Sequence, residues 1–338
     1  MLVIAFIAFG YASTLPRGPQ SPEYLRMFGY DPSWYGISVI FMMTGWLAMR
    51  SLDRHGSALK FLASRIGRNL PLLAVFAAMV PLVFFPLFGV SPEPGTSRLN
   101  QHLSYFAKVV SCVDPSTLTP GLLDNALYMC LIQGGLWTFR WGLVAFLATA
   151  LLWATGILKN RYLLLTMTIV ALAMYGAAVL YNIRYNSEMI GFATPGLKLG
   201  WAYLVGASAF AFREKLGRAL LVPAGLFAAT LLQYLLLPWT PGIEITATLA
   251  LGYLAYFGMT STREMPVGIK RIPDISLGLY VFNWPMAQII LLTIPGLSPL
   301  GLFAVSFPLT VLLSLTLWAV INNRTNRRLD QITGLSTA

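Results

Sequence analysis

Long apolar runs, separated by short polar segments, dominate this chain. They fall near 1–14, 33–50, 69–90, 134–156, 162–181, 196–212, 219–237, 243–259, 275–293 and 297–321. An α-helix needs about 20 apolar residues to cross ~30 Å of hydrocarbon. The pattern therefore predicts an all-α polytopic transmembrane helix bundle of about ten spans. Pro81, Pro86, Pro223, Pro285 and Pro308 interrupt several runs, which a bundle tolerates because neighbouring helices satisfy the freed backbone groups. With no linker, charged tail, low-complexity tract or internal repeat, residues 1–338 read as a single transmembrane domain. Residues 1–14 lack the basic segment that opens a signal peptide. They read instead as a first membrane helix that begins abruptly.

Composition places lipid among the solvents. Of 338 residues, 57% are hydrophobic and 10% charged, against the roughly 25% charged in soluble domains. The net charge of +11 would point to nucleic acid in a soluble protein, but its distribution points to topology. With a cytoplasmic N-terminus, sixteen cations fall in inner loops: Arg50, Arg54, Lys60, Arg65, Arg68, Lys159, Arg161, Arg213, Lys215, Arg218, Arg263, Lys270, Arg271, Arg324, Arg327 and Arg328. Six fall outside, namely Arg17, Arg26, Arg98, Lys108, Arg184 and Lys198. Cytoplasmic loops of membrane proteins carry this excess, so both termini are expected in the cytoplasm. The cations then face anionic lipids, and nucleic acid is not needed to explain them. Trp34, Tyr35, Trp201, Tyr203 and Trp239 lie near span ends and read as interfacial anchors.

Few residues offer chemistry. Arg65 and Arg68, in FLASRIGRNLP, stand three apart on one helical face, a spacing suited to phosphate oxygens; ordinary positive-inside bias also accounts for them. Arg140 is the one ionisable residue well inside a predicted span. It reads either as functional or as a side chain snorkelling to the headgroups. His55 and His102 are in loops, and Asp274 and Glu244 are at span edges, so the membrane interior offers no general base near neutral pH. Cys112 and Cys130 form no CxxC and have no histidine pair nearby, so no metal site is indicated. A disulfide between them is favoured over two free thiols if the outer loop faces an oxidising compartment.

FMMTGWLAMRSL followed by FLASRIGRNLP, GLWTFRWGLVAFLATALL (135–152) and PDISLGLYVFNWPMAQII (273–290) resemble, in order and spacing, elements of the acyltransferase-three family. That resemblance implies a ten-helix fold and transfer of an acyl group, often acetyl, from cytoplasmic acyl-CoA to a glycan or lipid-linked sugar hydroxyl. It implies Arg65 and Arg68 as contacts for the donor phosphates, and acyl-CoA as co-substrate with no bound cofactor. Arg140, Trp137, Asn283 and His102 are candidates for the tunnel or acceptor side. The bilayer, the acyl-CoA and the acceptor are the partners, and a bacterial inner membrane the location.

The sequence departs from the family pattern at several positions. Gly10 or Tyr11 stands where the first span carries its histidine, and Gly142 stands near a glutamate position. Asn283 replaces a frequent histidine, and Asn322, Asn323 and Arg324 replace the closing Glu-Lys/Arg-Pro element. The alternative is thus a catalytically degenerate relative, a binding or scaffold subunit or a carrier of lipid-linked substrate. Ion-coupled transport ranks last, because no acidic residue or histidine is placed at mid-membrane.

Overall fold

The structure, a computed structural model, describes residues 2–15, 26–89, 97–126, 128–217, 219–237, 241–260 and 273–322. The long helices among them are α1 (Leu2–Thr14), α2 (Pro32–His55), α3 (Ala58–Met79), α4 (Arg98–Val110), α5 (Trp137–Ala154) and α6 (Arg161–Tyr185). They continue with α7 (Glu188–Ala211), α8 (Leu221–Leu236), α9 (Pro241–Thr260), α10 (Ser276–Thr293) and α11 (Pro299–Leu317). Each apolar run of the sequence falls on one of these helices, while α4 lies in the long loop between the third and fourth runs.

Among the described residues, six helical stretches have the length and composition to cross a membrane: Ala58–Phe88, Trp137–Ala154, Arg161–Tyr185, Pro241–Thr260, Ser276–Thr293 and Pro299–Ile321. Leu2–Thr14 and Leu221–Leu236 are apolar but shorter. Along these helices Leu82, Leu151, Ile169, Leu235 and Leu312 point outward, each between 59% and 74% exposed. A soluble protein would hide so continuous an apolar surface; lipid accepts it. The chain is an all-helical integral membrane protein.

Helix ends follow local chemistry. Pro32 occupies the first turn of α2, where no N–H is needed, and Gly56 closes that helix at φ 62°. The Asn160 side chain caps α6 by accepting from the N–H groups of Tyr162 and Leu163 at 3.0 and 3.2 Å. Ser298 does the same for α11 through the Gly301 N–H. The Pro81 region of α3 continues as a π-helical turn, Val80–Phe84, before Phe85–Phe88, because a proline has no N–H to hold the regular ladder.

The chain divides into two compact units. Unit 1 comprises Met1–Leu25, Ala63–Leu143 and Pro266–Ala338, and unit 2 comprises Arg26–Leu62 and Val144–Met265. In unit 1, Leu72 and Phe76 of α3 and Val80 of the π-helical turn pack with Tyr105 and Val109 of α4 and with Val281 and Phe282 of α10. The Phe76 and Phe282 rings meet edge to face at 5.5 Å. In unit 2, glycines set the closest helix approach. A Cβ on Gly45 would lie 2.0 Å from the Tyr203 carbonyl oxygen, and one on Gly206 would lie 1.8 Å from that of Met42. The backbones come this close because the glycine at each contact carries no side chain. Hydroxyl pairs then tie helices together: Thr149 to Tyr203 at 2.8 Å, Thr168 to Ser208 at 2.7 Å and Thr230 to Thr246 at 2.9 Å.

The interfacial reading of several aromatics is corrected here. Tyr35, Trp201 and Tyr203 are 0%, 2% and 4% exposed, so they pack inside unit 2 instead of anchoring it at a membrane surface. Trp239, Asn323 and the cations Arg17, Arg218, Arg263, Lys270, Arg271, Arg324, Arg327 and Arg328 lie outside the described residues.

Candidate functional site

A neutral polar cluster in unit 1 begins with a proline. Pro285 sits inside α10 and has no N–H, so the carbonyl four residues earlier, on Val281, loses its helical partner. Gln133 supplies the replacement: its Nε2 donates to the carbonyls of both Tyr280 and Val281 at 3.1 Å. The other end of the same amide, Oε1, accepts from the N–H groups of Gly135 and Leu136. One buried glutamine thus fastens the chain entering α5 onto the broken ladder of α10. Further along, Gln288 Nε2 donates to the Leu131 carbonyl at 2.6 Å.

Hydroxyls complete the join. The Tyr280 and Thr138 hydroxyls stand 2.8 Å apart and each lies 3.0 Å from the Gly135 carbonyl; with one proton apiece, one donates to the carbonyl and the other can donate to its neighbour's oxygen. Aromatic rings surround them. The Trp284 ring lies edge to face with Tyr11 of α1 at 5.0 Å and with Tyr128 at 5.3 Å. Close packing here requires Gly134 and Gly135: a Cβ on Gly134 would fall 2.5 Å from the Trp284 ring, and one on Gly135 would fall 2.5 Å from the Tyr11 hydroxyl.

Beside this network the polar groups outnumber their partners. Asn283 is 2% exposed, and among the described residues neither its Nδ2 nor its Oδ1 has a hydrogen-bond partner. The same holds for Trp284 Nε1 and Gln288 Oε1. Each such buried group costs about 1–3 kcal/mol if left unmade. Two donors, an amide and an indole N–H, and two amide acceptors are therefore available for a polar ligand. A carbonyl whose oxygen becomes negative in a tetrahedral intermediate is the chemistry such donors suit. No imidazole or carboxylate has a described contact with this cluster.

The sequence-predicted residues divide accordingly. Tyr11 and Asn283 belong to the cluster or its flank. Arg65 and Arg68 lie one turn apart on α3, both partly buried. Arg68 stands eight residues before Phe76, roughly 12 Å along the helix axis, and Phe76 packs on the neighbour of Asn283. Trp137 opens α5, half-buried. Arg140 pairs with Asp114 of the preceding loop at 3.4 Å, and Lys108 approaches the same carboxylate at 3.7 Å. It is thus compensated by a carboxylate of the loop. His102 packs on Phe85 at 4.6 Å, and no described contact joins it to Tyr11, Asn283 or Trp284. Burial, and then Arg98, push its imidazole below the ordinary 6.5. Cys112 and Cys130 are free thiols, which corrects the disulfide favoured from sequence. The Cys130 thiol donates to Asp124 at 3.2 Å.

The chain is similar to an O-acetyl transferase of Shigella phage Sf6, with 27% identity over 282 residues that cover 79% of this chain and 78% of that protein. The similarity supports an acetyltransferase. No family model matches the chain, and no solved structure matches it.

Unit 2 holds a second polar centre, which sequence reasoning missed. Lys198, counted above as an outer-loop cation, is 2% exposed, and Glu244, placed at a span edge, is 4% exposed. Lys198 Nζ lies 2.5 Å from Glu244 Oε1, donates to the Trp34 carbonyl at 3.1 Å and sits 3.4 Å from the centroid of the Trp34 ring. Tyr175 donates to Glu244 Oε2 at 2.6 Å. The signal was available: a lysine eleven residues into α7 is too deep for a loop. Glu244 lies in the first turn of α9, so it stays at a span edge as read from sequence; what the sequence did not reveal is its burial against Lys198.

Proposed function

We propose that the chain is a membrane O-acyltransferase of the acyltransferase-three kind, passing an acyl group, acetyl in the simplest case, from acyl-CoA to a hydroxyl of a glycan or lipid-linked sugar. The observation that carries this reading is the similarity to the phage O-acetyl transferase across four-fifths of the chain. The unit 1 cluster supports it with donors suited to a carbonyl. In this reading both termini and the Arg65–Arg68 end of α3 face the cytoplasm of a bacterial inner membrane. The ten helices matching ten apolar runs and the cation asymmetry support that topology.

Arg65 and Arg68 grip the CoA phosphates by charge-assisted bonds, and the pantetheine arm follows α3 toward Phe76 and α10. The thioester carbonyl then accepts from Asn283 Nδ2 and Trp284 Nε1. As the acceptor oxygen attacks, a carbon–oxygen bond forms and the carbon–sulfur bond breaks. The hydroxyl proton ends on the departing CoA sulfur, leaving an ester and CoA thiol. Thr138 and Tyr280, within hydrogen-bond distance of each other, provide neutral hydroxyls to relay it, in place of the histidine that Gly10 or Tyr11 replaces.

The test is to incubate purified protein with radiolabelled acetyl-CoA and bacterial membranes. Label is expected in the glycan fraction, and changing both Arg65 and Arg68 to alanine is expected to raise the KM for acetyl-CoA more than it lowers kcat. Saturable CoA binding with no transfer would favour the binding-subunit reading, which the histidine-free cluster motivates. No binding and no transfer would remove both.

A further inference from the structure

Unit 2 contains a pocket of about 510 Å³, within the ~300–1,000 Å³ range of ligand sites. It exists because small residues line it: Gly206, Ser208 and Ala209 on α7 and Gly252 on α9. A Cβ on Gly252 would already stand 2.2 Å from the Met42 sulfur. The walls combine rigid and adaptable groups. Trp46 packs edge-on with Phe210 at 5.2 Å and with Tyr256 at 5.1 Å, while Met42, Met43 and Met259 also face the space. Thioether side chains conform to flexible apolar guests.

The mouth is built and charged. Tyr253 and Tyr256 line the pocket and also donate to the carbonyls of Gly217 and Leu216, at 2.5 and 3.4 Å. These bonds fix the turn after α7, and that turn carries Lys215, the one cation lining the pocket among the described residues. Arg213, two residues earlier, lies 3.8 Å from Asp53 and over the Phe210 ring. Lys215 has no ion-pair partner among the described residues. The same end of unit 2 carries Arg50 and Arg54 on the last turns of α2. Basic pockets between membrane helices recruit anionic headgroups, at about 1 kcal/mol per cation.

We propose that this pocket holds one hydrocarbon chain of an anionic phospholipid, with the lipid phosphate at Lys215. An apolar interior calls for a chain, and a fixed ammonium at its mouth calls for a negative head. The reacting acyl group is not the occupant, since the donors suited to its carbonyl belong to unit 1. The leaflet named, the cytoplasmic one, rests on the topology proposed above; the pocket and its charge do not.

The test reads lipid contact and no acyl transfer, so it fails or succeeds separately from the proposed activity. Purified full-length protein in detergent is titrated with phosphatidylglycerol carrying brominated chains, and with phosphatidylcholine carrying the same chains. The quenching due to Trp46 is taken as the difference from Trp46→Phe. Saturable quenching is expected, about fivefold tighter for phosphatidylglycerol. Lys215→Gln, at an exposed position, is expected to abolish that preference, and Ala209→Phe, which fills the pocket, to abolish the quenching itself. Equal affinity for both lipids, or a preference unchanged by Lys215→Gln, overturns the proposal even if Ala209→Phe fails to fold. A transfer-inactive protein with intact, charge-dependent quenching leaves it standing.

Discussion

Two buried polar centres, one in each unit, use their groups in opposite ways. The unit 2 centre is charged and closed: Lys198 and Glu244 neutralise each other, and Trp34 and Tyr175 take up further bonding capacity. The unit 1 centre is neutral and open: Gln133 and Tyr280 are bonded, yet Asn283 retains both a donor and an acceptor. In a low-dielectric interior a charge without a partner is intolerable, whereas a neutral amide without one costs little enough to be kept. A helix bundle can therefore lock its charges to hold helices together and leave neutral groups for substrate. On this comparison the buried ion pair serves the fold, and the uncharged cluster is the one proposed for chemistry.

The largest effect should come from opening the closed centre. Lys198→Met leaves Glu244 buried alone and is expected to cost about 3–5 kcal/mol, read as a drop in the thermal unfolding midpoint in detergent. Lys198→Met with Glu244→Leu is expected to recover most of that loss. If Lys198→Met leaves the midpoint unchanged, the pair does not hold the unit.

Closing the open centre should do the reverse. Asn283→Leu removes an unmade donor and acceptor and is expected to raise stability by about 1–3 kcal/mol while lowering acetyl transfer by roughly 10²–10³-fold. Loss of both stability and transfer would show that the amide is bonded within the fold and is not reserved for a carbonyl.

A smaller effect tests how the cluster is fastened. Gln133→Leu strands the Val281 carbonyl and is expected to cost about 1–3 kcal/mol. Pro285→Ala restores the missing N–H, so in that background the same change should cost less, a coupling read by a double-mutant cycle. Additive effects would mean that glutamine and proline act independently.

The smallest effect concerns His102, away from both centres. Its folded-state pKa lies below the ordinary 6.5 because burial and Arg98 disfavour its charged form. The unfolded chain therefore takes up the proton first as pH falls, so stability decreases from about pH 6.5 downward until the lowered folded value is passed. His102→Gln should flatten that slope in melts recorded across this range. An unchanged slope would assign it to other groups.

Much of this was legible without coordinates. The positions of the helices follow from hydrophobic run length, and even the disruption of α10 is implied by Pro285. Arg65 and Arg68 share a helix face because of their spacing alone. Lys198 was misplaced because hydropathy counts a lysine against a span whether or not a carboxylate awaits it, and Glu244, correctly at a helix edge, gave no sign of being buried. Cys112 and Cys130 were paired by location, when each thiol has its own surroundings and neither reaches the other.

The residues in series determined an all-helical membrane protein, because burial in lipid is a property of composition and run length and needs no knowledge of neighbours. Only the tertiary structure decided which polar side chains meet: Gln133 finds two carbonyls about 150 positions away, and Lys198 finds Glu244. Hydrogen bonds and ion pairs act over a few ångströms in space, and the order of residues along a chain does not record that distance.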